Sequence, residues 1–418
     1  MRGRMIVACA GLAAATVVIA MGMGADKRAV RVGEAAGAVS PGLVAHEWGT
    51  FTTFSGADGM PRKFWSEFAE SSRDLPRFVW TWHQTGPTEF TAEPLGGSSD
   101  EVKSSRSLLA LVRMETPVIY FNSTRPASVD VDVRLESGRM TEFYPPPSDV
   151  KATKEQMGTL SWRGVRVVPG ADEGAFPKGD GSHYVLARAT GAAPVEMTAG
   201  GKAHREKFLF YRGVGDFEPG VTVKALGAGK FTIENTTGET VAAAFMLEVA
   251  GGQTRFMPLE RLGAKTDVDL AKAKTGESAL AEATKAALIG QGLTQSEATA
   301  MVETWRTSWF GEPGTRLMSI TPPGRVERVL PLKITPTPEE VKRVFVARAE
   351  VMTPEDEARL TGLLKRFGTA MRTERGAERE SAEINRWLGR FKVPAVKRVA
   401  AMSDDADVRE AAKRIGGE

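Results

Sequence analysis

Apolar and polar residues alternate along Val129, Val131, Val133 and Leu135, with Asp130, Asp132, Arg134 and Glu136 between them. Side chains two apart on a strand share a face, so this run predicts a half-buried strand. Ser137-Gly138 predicts a turn into a second strand over 139–144, making a hairpin that Pro145-Pro146-Pro147 ends because proline cannot donate to a ladder. Strand patterns recur at 116–121, 160–168, 183–190, 205–212, 221–226, 230–234 and 241–249, separated by Gly, Pro, Asn and Asp. Phe208, Leu209, Phe210 and Tyr211 are apolar at every position, which predicts a central strand buried on both faces.

The period changes near residue 274. An Ala/Leu-rich helix is predicted over 277–289, broken at Gly290-Gln291-Gly292, and Thr294 with Glu297 forms a capping box for a second helix reaching Trp309. Strand patterns return at 315–321 and 328–334. The β-favouring Val344, Phe345, Val346 and Val351 predict a strand over 344–351. Thr353-Pro354-Glu355-Asp356 is a helix start, with a capping hydroxyl, proline at the first position and acids near the positive end of the dipole. Beyond 336 the chain is densely charged in both signs, which predicts solvated helix faces. These patterns predict a β-rich α+β fold, an antiparallel β-sandwich-like domain followed by a helical or mixed C-terminal region. The expected divisions are 25–43 as a flexible leader, 44–272 as the sandwich, 273–335 as a helical hairpin plus β-hairpin, and 336–418 as a charged α/β region.

Residues 1–24 carry Arg2 and Arg4, then an apolar run to Met23 with small residues at Ala20, Gly22 and Gly24, which predicts an export signal cleaved near 22–25. An uncleaved N-terminal anchor is the alternative, since the run approaches the ~20 residues that span a bilayer. The expected location is therefore periplasmic or extracellular, with membrane contact only through this segment. Cleavage removes Cys9, the single cysteine, and two arginines, so the formal charge falls from +3 to +1. A cysteine-free, near-neutral mature chain offers no disulfide scaffold, no thiolate metal site and no concentrated basic footprint for nucleic acid.

No cofactor motif survives inspection. Gly227-Ala228-Gly229-Lys230 lacks the other elements of a phosphate loop, and Gly213-Val214-Gly215-Asp216 lacks those of a dinucleotide fingerprint, so both are turns. His46-Glu47 has no second histidine at metalloprotease spacing, because Thr50 stands there. Asp130 and Asp132 share one strand face and are expected on its wet side. His183 and His204, each opening a predicted strand, are weak metal candidates together with Glu206.

The segment 46–83 holds four of the eight tryptophans. Phe78, Trp80 and Trp82 would share one face of an extended strand and, with Trp48, are the candidate ligand-binding aromatics for a glycan or a peptide, or else core. His46, Glu47 and His83 are the candidate acid/base groups of an exported hydrolase, with Glu115 and Glu142 as distant carboxylates. His46 and Glu47, being adjacent, point to opposite faces.

The strings His46-Glu47-Trp48-Gly49-Thr50-Phe51-Thr52, 114–121 and 206–213 resemble a set of uncharacterised exported bacterial proteins with no assigned reaction. The resemblance extends over most of the mature chain and implies export to a bacterial envelope, without assigning a catalytic role to any residue. The expected function is a non-enzymatic glycan- or peptide-binding envelope protein, with an exported hydrolase and a structural scaffold as alternatives.

Overall fold

The computed structural model describes residues 39–66, 74–96, 108–179, 181–372 and 377–416. The predicted signal and most of the leader lie outside these residues. The described residues form one compact unit.

Six strands form the middle of a twelve-stranded sheet: β1 (Val39–Ser55), β2 (Val112–Asn122), β3 (Gly138–Tyr144), β4 (Leu209–Gly215), β5 (Gly314–Thr321) and β6 (Thr337–Val351). Their spatial order is β5-β6-β1-β2-β4-β3. Most pairs are antiparallel, but β1 and β6 run parallel, with Glu47 opposite Arg343 and Thr52 opposite Arg348. β4 is buried at all seven positions, as the apolar run Phe208–Tyr211 at its start predicts.

A five-stranded sheet built from Ala127–Arg134, Thr159–Val167, Val195–Ala199, Lys202–Glu206 and Leu332–Thr335 packs against the β4 side of the large sheet. Trp162 of the smaller sheet meets Tyr211 of β4 at 6.3 Å, and its indole N–H donates to the Pro145 carbonyl at 2.9 Å. This pairing of layers is the expected β-sandwich. Helices α1 (Glu277–Gly290) and α2 (Gln295–Arg306) follow, then α3 (Pro323–Val329). The C-terminal helices α4 (Pro354–Arg372), α5 (Ala377–Leu388), α6 (Lys392–Met402) and α7 (Ala406–Gly416) share a separate core built on Leu360, Leu364, Ile384, Val396 and Val408. That core reaches the sheet through Phe54 and Met352.

Three expectations change. The strand containing Val129, Val131 and Val133 does not pair with β3; the first belongs to the small sheet and the second to the large one. Ser137-Gly138 therefore carries the chain between layers, because each strand buries its apolar face from its own side of the sandwich. The segment 205–212 divides in the same way, with Lys207 and Phe208 between the two sheets. Residues 183–188 form a 3-10 helix, not a strand, and bury Tyr184 and Ala187, which at three-residue spacing lie on one side.

The expected divisions at 272 and 335 run through the twelve-stranded sheet, which takes strands from 39 to 351. Pairing of β1 with β6 joins residues about 300 positions apart, which no local pattern reveals. Gly49 matters to that junction. A Cβ there would stand 2.6 Å from the Phe345 ring and 3.0 Å from the Pro117 backbone. Its absence lets Phe345 stack on Phe51 at 5.0 Å.

Candidate functional site

The His46–Thr52 motif lies in the middle of the large sheet, and from Ala45 to Ser55 every residue is buried. Trp48 is 0% exposed and packs on Tyr120 at 6.2 Å, so it is core and not a ligand surface. Trp80, at 8%, meets the edge of His204, and Trp82, at 5%, meets Phe143. Phe78 precedes the strand Trp80–Gln84 and packs between Tyr144 and Tyr184. The four aromatics therefore form no exposed ladder, because the sandwich interior takes their area.

Two of the candidate acid/base groups, His46 and Glu47, are also committed. Nδ1 of His46 lies 2.8 Å from Oε2 of Glu297, with both side chains buried. The same Glu297 oxygen accepts from the Thr294 N–H at 2.9 Å, so the predicted capping box doubles as an anchor for the central strand. Burial pushes the Glu297 carboxyl up, but the His46 and Thr294 contacts outweigh it and hold it below its usual range. Glu47 accepts from Nε of Arg343 at 2.5 Å and from the Tyr211 hydroxyl. His46 and Glu47 thus serve separate partners, as their opposite faces require. His83 is half-buried on Trp80–Gln84, with Nε2 enclosed and without a partner.

The metal candidates do not converge. His204 Nε2 lies 3.2 Å from the Ala199 carbonyl, and Glu206 is held by Arg188 at 2.6 and 2.9 Å. His183 faces Arg212 Nη2 at 3.2 Å, with Asp74 at 3.7 Å. Among the described residues no group of three or more His, Cys, Asp or Glu is placed to hold a metal ion. Asp130 and Asp132 bind the Gly164 N–H and the Arg163 side chain, which is the expected wet-face role.

What sequence reading missed is that Glu115 and Glu142, the distant carboxylates, belong to one row of buried charges across the large sheet. It comprises Arg316 on β5, Arg348 and Glu350 on β6, Arg113 and Glu115 on β2, Arg212 on β4 and Glu142 on β3, all enclosed or nearly so. Glu350 accepts from Nε of both Arg316 and Arg348 at 3.0 Å, and Arg348 also reaches Glu312 at 2.7 Å. Glu115 receives the Thr52 hydroxyl at 2.8 Å, Arg113 Nε at 3.2 Å and Nη1 of Arg390 from the turn between α5 and α6. Burial pushes the Glu115 carboxyl up, and the Arg390, Arg113 and Arg212 guanidinium groups reverse this, holding it at about 2. Burial and the Arg212 charge together push His183 down to about 4. A visible signal existed: Arg212 directly follows the apolar run Phe208–Tyr211 and Arg348 the run Val344–Ala347, where a charge persists only if paired.

Two concavities remain. An open groove of about 1040 Å³ is bounded by Arg134–Gly138, 147–152, 155–161 and Trp82. Its rim mixes signs, with Arg134 and Lys151 against Glu136, Asp149 and Glu155, and Asp149 and Lys151 are exposed. A smaller cavity of about 170 Å³ lies between the ends of β1 and β6 and residues 386–391, the end of α5 and the turn that follows it.

The architecture is that of a β-sandwich with an appended helical region. No family model matches the chain, and no curated protein matches it. Among solved structures, the Fcho1 Mu homology domain from Danio rerio with bound Eps15 peptide matches at 8% identity. The match covers 75% of this chain and 98% of that one, with a TM-score of 0.26, too low to carry an argument about either fold or ligand. Among the described residues no helix is long and apolar enough to cross a membrane.

Proposed function

We propose that this protein is an exported bacterial envelope protein that binds a glycan without transforming it, in the groove bounded by 134–138, 147–152 and 155–161. The observation that carries the reading is the groove itself, large, open and lined by hydroxyl, carboxylate, amide and cationic side chains of both signs. Neutral sugars are recognised by such mixed donors and acceptors, whereas a polyanion needs an excess of one sign. Trp82 adds an apolar wall but presents only its margin, so hydrogen bonding and not ring stacking supplies the specificity. Against hydrolysis stands the commitment of His46 and Glu47 to buried partners away from this groove.

The test is calorimetric titration of the purified mature chain with maltose- and N-acetylglucosamine-based oligosaccharides, beside extended neutral peptides of similar length. A glycan is expected to bind, and Asp149→Ala with Lys151→Ala is expected to weaken it at least tenfold without changing the melting temperature. Binding of peptides alone, no binding by any sugar, or release of shortened sugars would each overturn the reading. Export is tested by cell fractionation and N-terminal sequencing, with a new terminus near 22–25 expected; full-length protein retained in the cytoplasm sinks that part.

A further inference from the structure

Two strand edges end at the groove bounded by 134–138, 147–152 and 155–161. The strand Lys151–Thr153 is the last of the twelve-stranded sheet, so among the described residues no strand covers its outer side. In an antiparallel pair alternate residues turn both backbone groups toward the partner, and the residues between them turn theirs away. The Ala92 N–H donates to the Val150 carbonyl at 2.8 Å and the Lys154 N–H to the Thr88 carbonyl at 3.0 Å. Val150, Ala152 and Lys154 therefore face the strand Glu89–Pro94, while Lys151 and Thr153 face outward. Gln156 Oε1 takes the Thr153 N–H at 2.8 Å. The Lys151 N–H has no partner among the described residues, and Lys151 is exposed and lines the groove.

In the other layer, Thr159–Val167 pairs along its length with Ala127–Arg134 but meets Val195–Ala199 only at Arg166 and Val167. Its second edge is open at the groove. The same alternation turns Thr159, Ser161 and Arg163 outward there, because the Gly158 carbonyl accepts from the Leu135 N–H on the paired side. Ser148 occupies two of these groups, its N–H on the Ser161 carbonyl at 2.9 Å and its Oγ on the Arg163 N–H at 2.8 Å. The Thr159 N–H donates to the Gln156 carbonyl. What is left is the carbonyl of Thr159, an exposed residue that lines the groove. Trp82, Val150 and Ala152 share one strand face, as their registers through Ala92 and Phe90 require, and form the apolar wall beside these groups.

We infer that the glycan taken by this groove carries N-acetylamino groups, with an acetamido oxygen on the Lys151 N–H, its N–H on the Thr159 carbonyl and its methyl against Val150, Ala152 and Trp82. This names the ligand class of the site proposed above and rests on that reading. A trans amide points its C=O and N–H in opposite directions, which suits a donor on one layer and an acceptor on the other. A sugar with hydroxyls alone brings no methyl to the apolar wall, and a free amino sugar brings neither the methyl nor the carbonyl acceptor. An added peptide strand fits less well, because it pairs with main-chain groups at successive alternate positions. Here the next ones along, at Thr153, Ser161 and Arg163, are already taken, so the edges offer a place for one amide and not for a ladder.

The experiment titrates the full mature chain calorimetrically with β-1,4-linked trimers of N-acetylglucosamine, glucosamine and glucose, beside an extended neutral peptide of similar length. The N-acetylated trimer is expected to bind at least tenfold tighter than either of the others. Lys151→Pro removes an N–H that the ladder does not use, on an edge strand where proline is tolerated, and is expected to erase that preference. Lys151→Ala keeps the N–H and is expected to retain the preference, which separates the backbone from the side chain. In the unaltered chain the Lys151 amide resonance is expected to shift with the N-acetylated trimer and not with the glucose trimer, a readout that needs no variant. Equal binding of the N-acetylated and glucose trimers, a preference that survives in folded Lys151→Pro, or an unmoved Lys151 amide overturns this assignment and leaves the glycan reading standing. Absence of binding by all three trimers, or binding of the peptide alone, removes both.

Discussion

The interior between the two sheets and the row of charges across the large sheet are equally buried but are held by different physics. Between the sheets, Trp162, Tyr211, Phe143 and Trp82 remove apolar area from water, and each contact contributes whether or not its neighbours are ideal. In the charged row, Arg316, Glu350, Arg348 and Glu312 pay for desolvation and recover it only while every partner is present. An aromatic core therefore degrades gradually when trimmed, while an ionic one fails at the first missing partner.

Mutations separate the two. Trp162→Ala is expected to lose about 3–5 kcal/mol in denaturant unfolding, from lost burial and the cavity left behind. Glu350→Ala is expected to lose a comparable 3–5 kcal/mol for a different reason, since two enclosed guanidinium groups are left facing each other. Replacing the whole cluster distinguishes them. Arg316→Met with Glu350→Leu and Arg348→Met is expected to recover most of the loss, because no enclosed charge is left unpaired and Glu312, which loses Arg348, is 42% exposed. A triple variant no more stable than Glu350→Ala would break the comparison.

The next effect depends on pH. His183 titrates near 4 in the folded protein against an ordinary 6.5, so the unfolded chain takes up its proton first as pH falls. Stability from this group is complete above about 6.5 and is lost as pH drops toward 4, roughly 3 kcal/mol in all. Glu115, held at about 2 against 4.5, adds a further loss below about 4.5. His183→Gln is expected to flatten the stability profile between pH 6.5 and 4 and to leave the decline below 4.5 in place. An unaltered profile over the upper window would assign the loss elsewhere.

The smallest expected effect is at Thr294. Its hydroxyl accepts from the Glu297 N–H at 3.2 Å, and Glu297 in turn fixes His46. Thr294→Ala is expected to cost about 1 kcal/mol as a lost helix cap. His46→Leu should cost more than Thr294→Ala, because it leaves a buried carboxylate with fewer donors. The reverse order would show that the cap and not the strand contact anchors α2.

Local chemistry made much of this fold legible. Alternation at Val129–Leu135 marked a strand, the doubly apolar Phe208–Tyr211 marked the sheet centre, and Thr294 with Glu297 and Thr353 with Pro354 marked helix starts, because each signal is completed within a few residues. The candidate site was less legible. The tryptophans of 46–83 drew attention as exposed chemistry, yet an aromatic pattern reads the same whether it faces solvent or a second sheet. Only the packing of Trp162 on Tyr211 and of His204 on Trp80 shows that a second layer is there.

What the sequence by itself determined is therefore the type of its most strongly patterned elements, such as the strand at 129–135 and the helices that start at Glu277, Thr294 and Thr353, and the β-rich class with helices at its C-terminal side. The tertiary structure alone decided which strands became neighbours. It set β1 against β6 across about 300 residues, divided the expected hairpin between two layers, and gathered Arg113, Glu115, Arg212, Arg348 and Arg390 from three strands and a turn between helices. The physical reason is range. Backbone preference and side-chain period act over one or two turns of chain, whereas the partner of a buried charge is chosen by whichever distant group the packed sheet brings within hydrogen-bond reach.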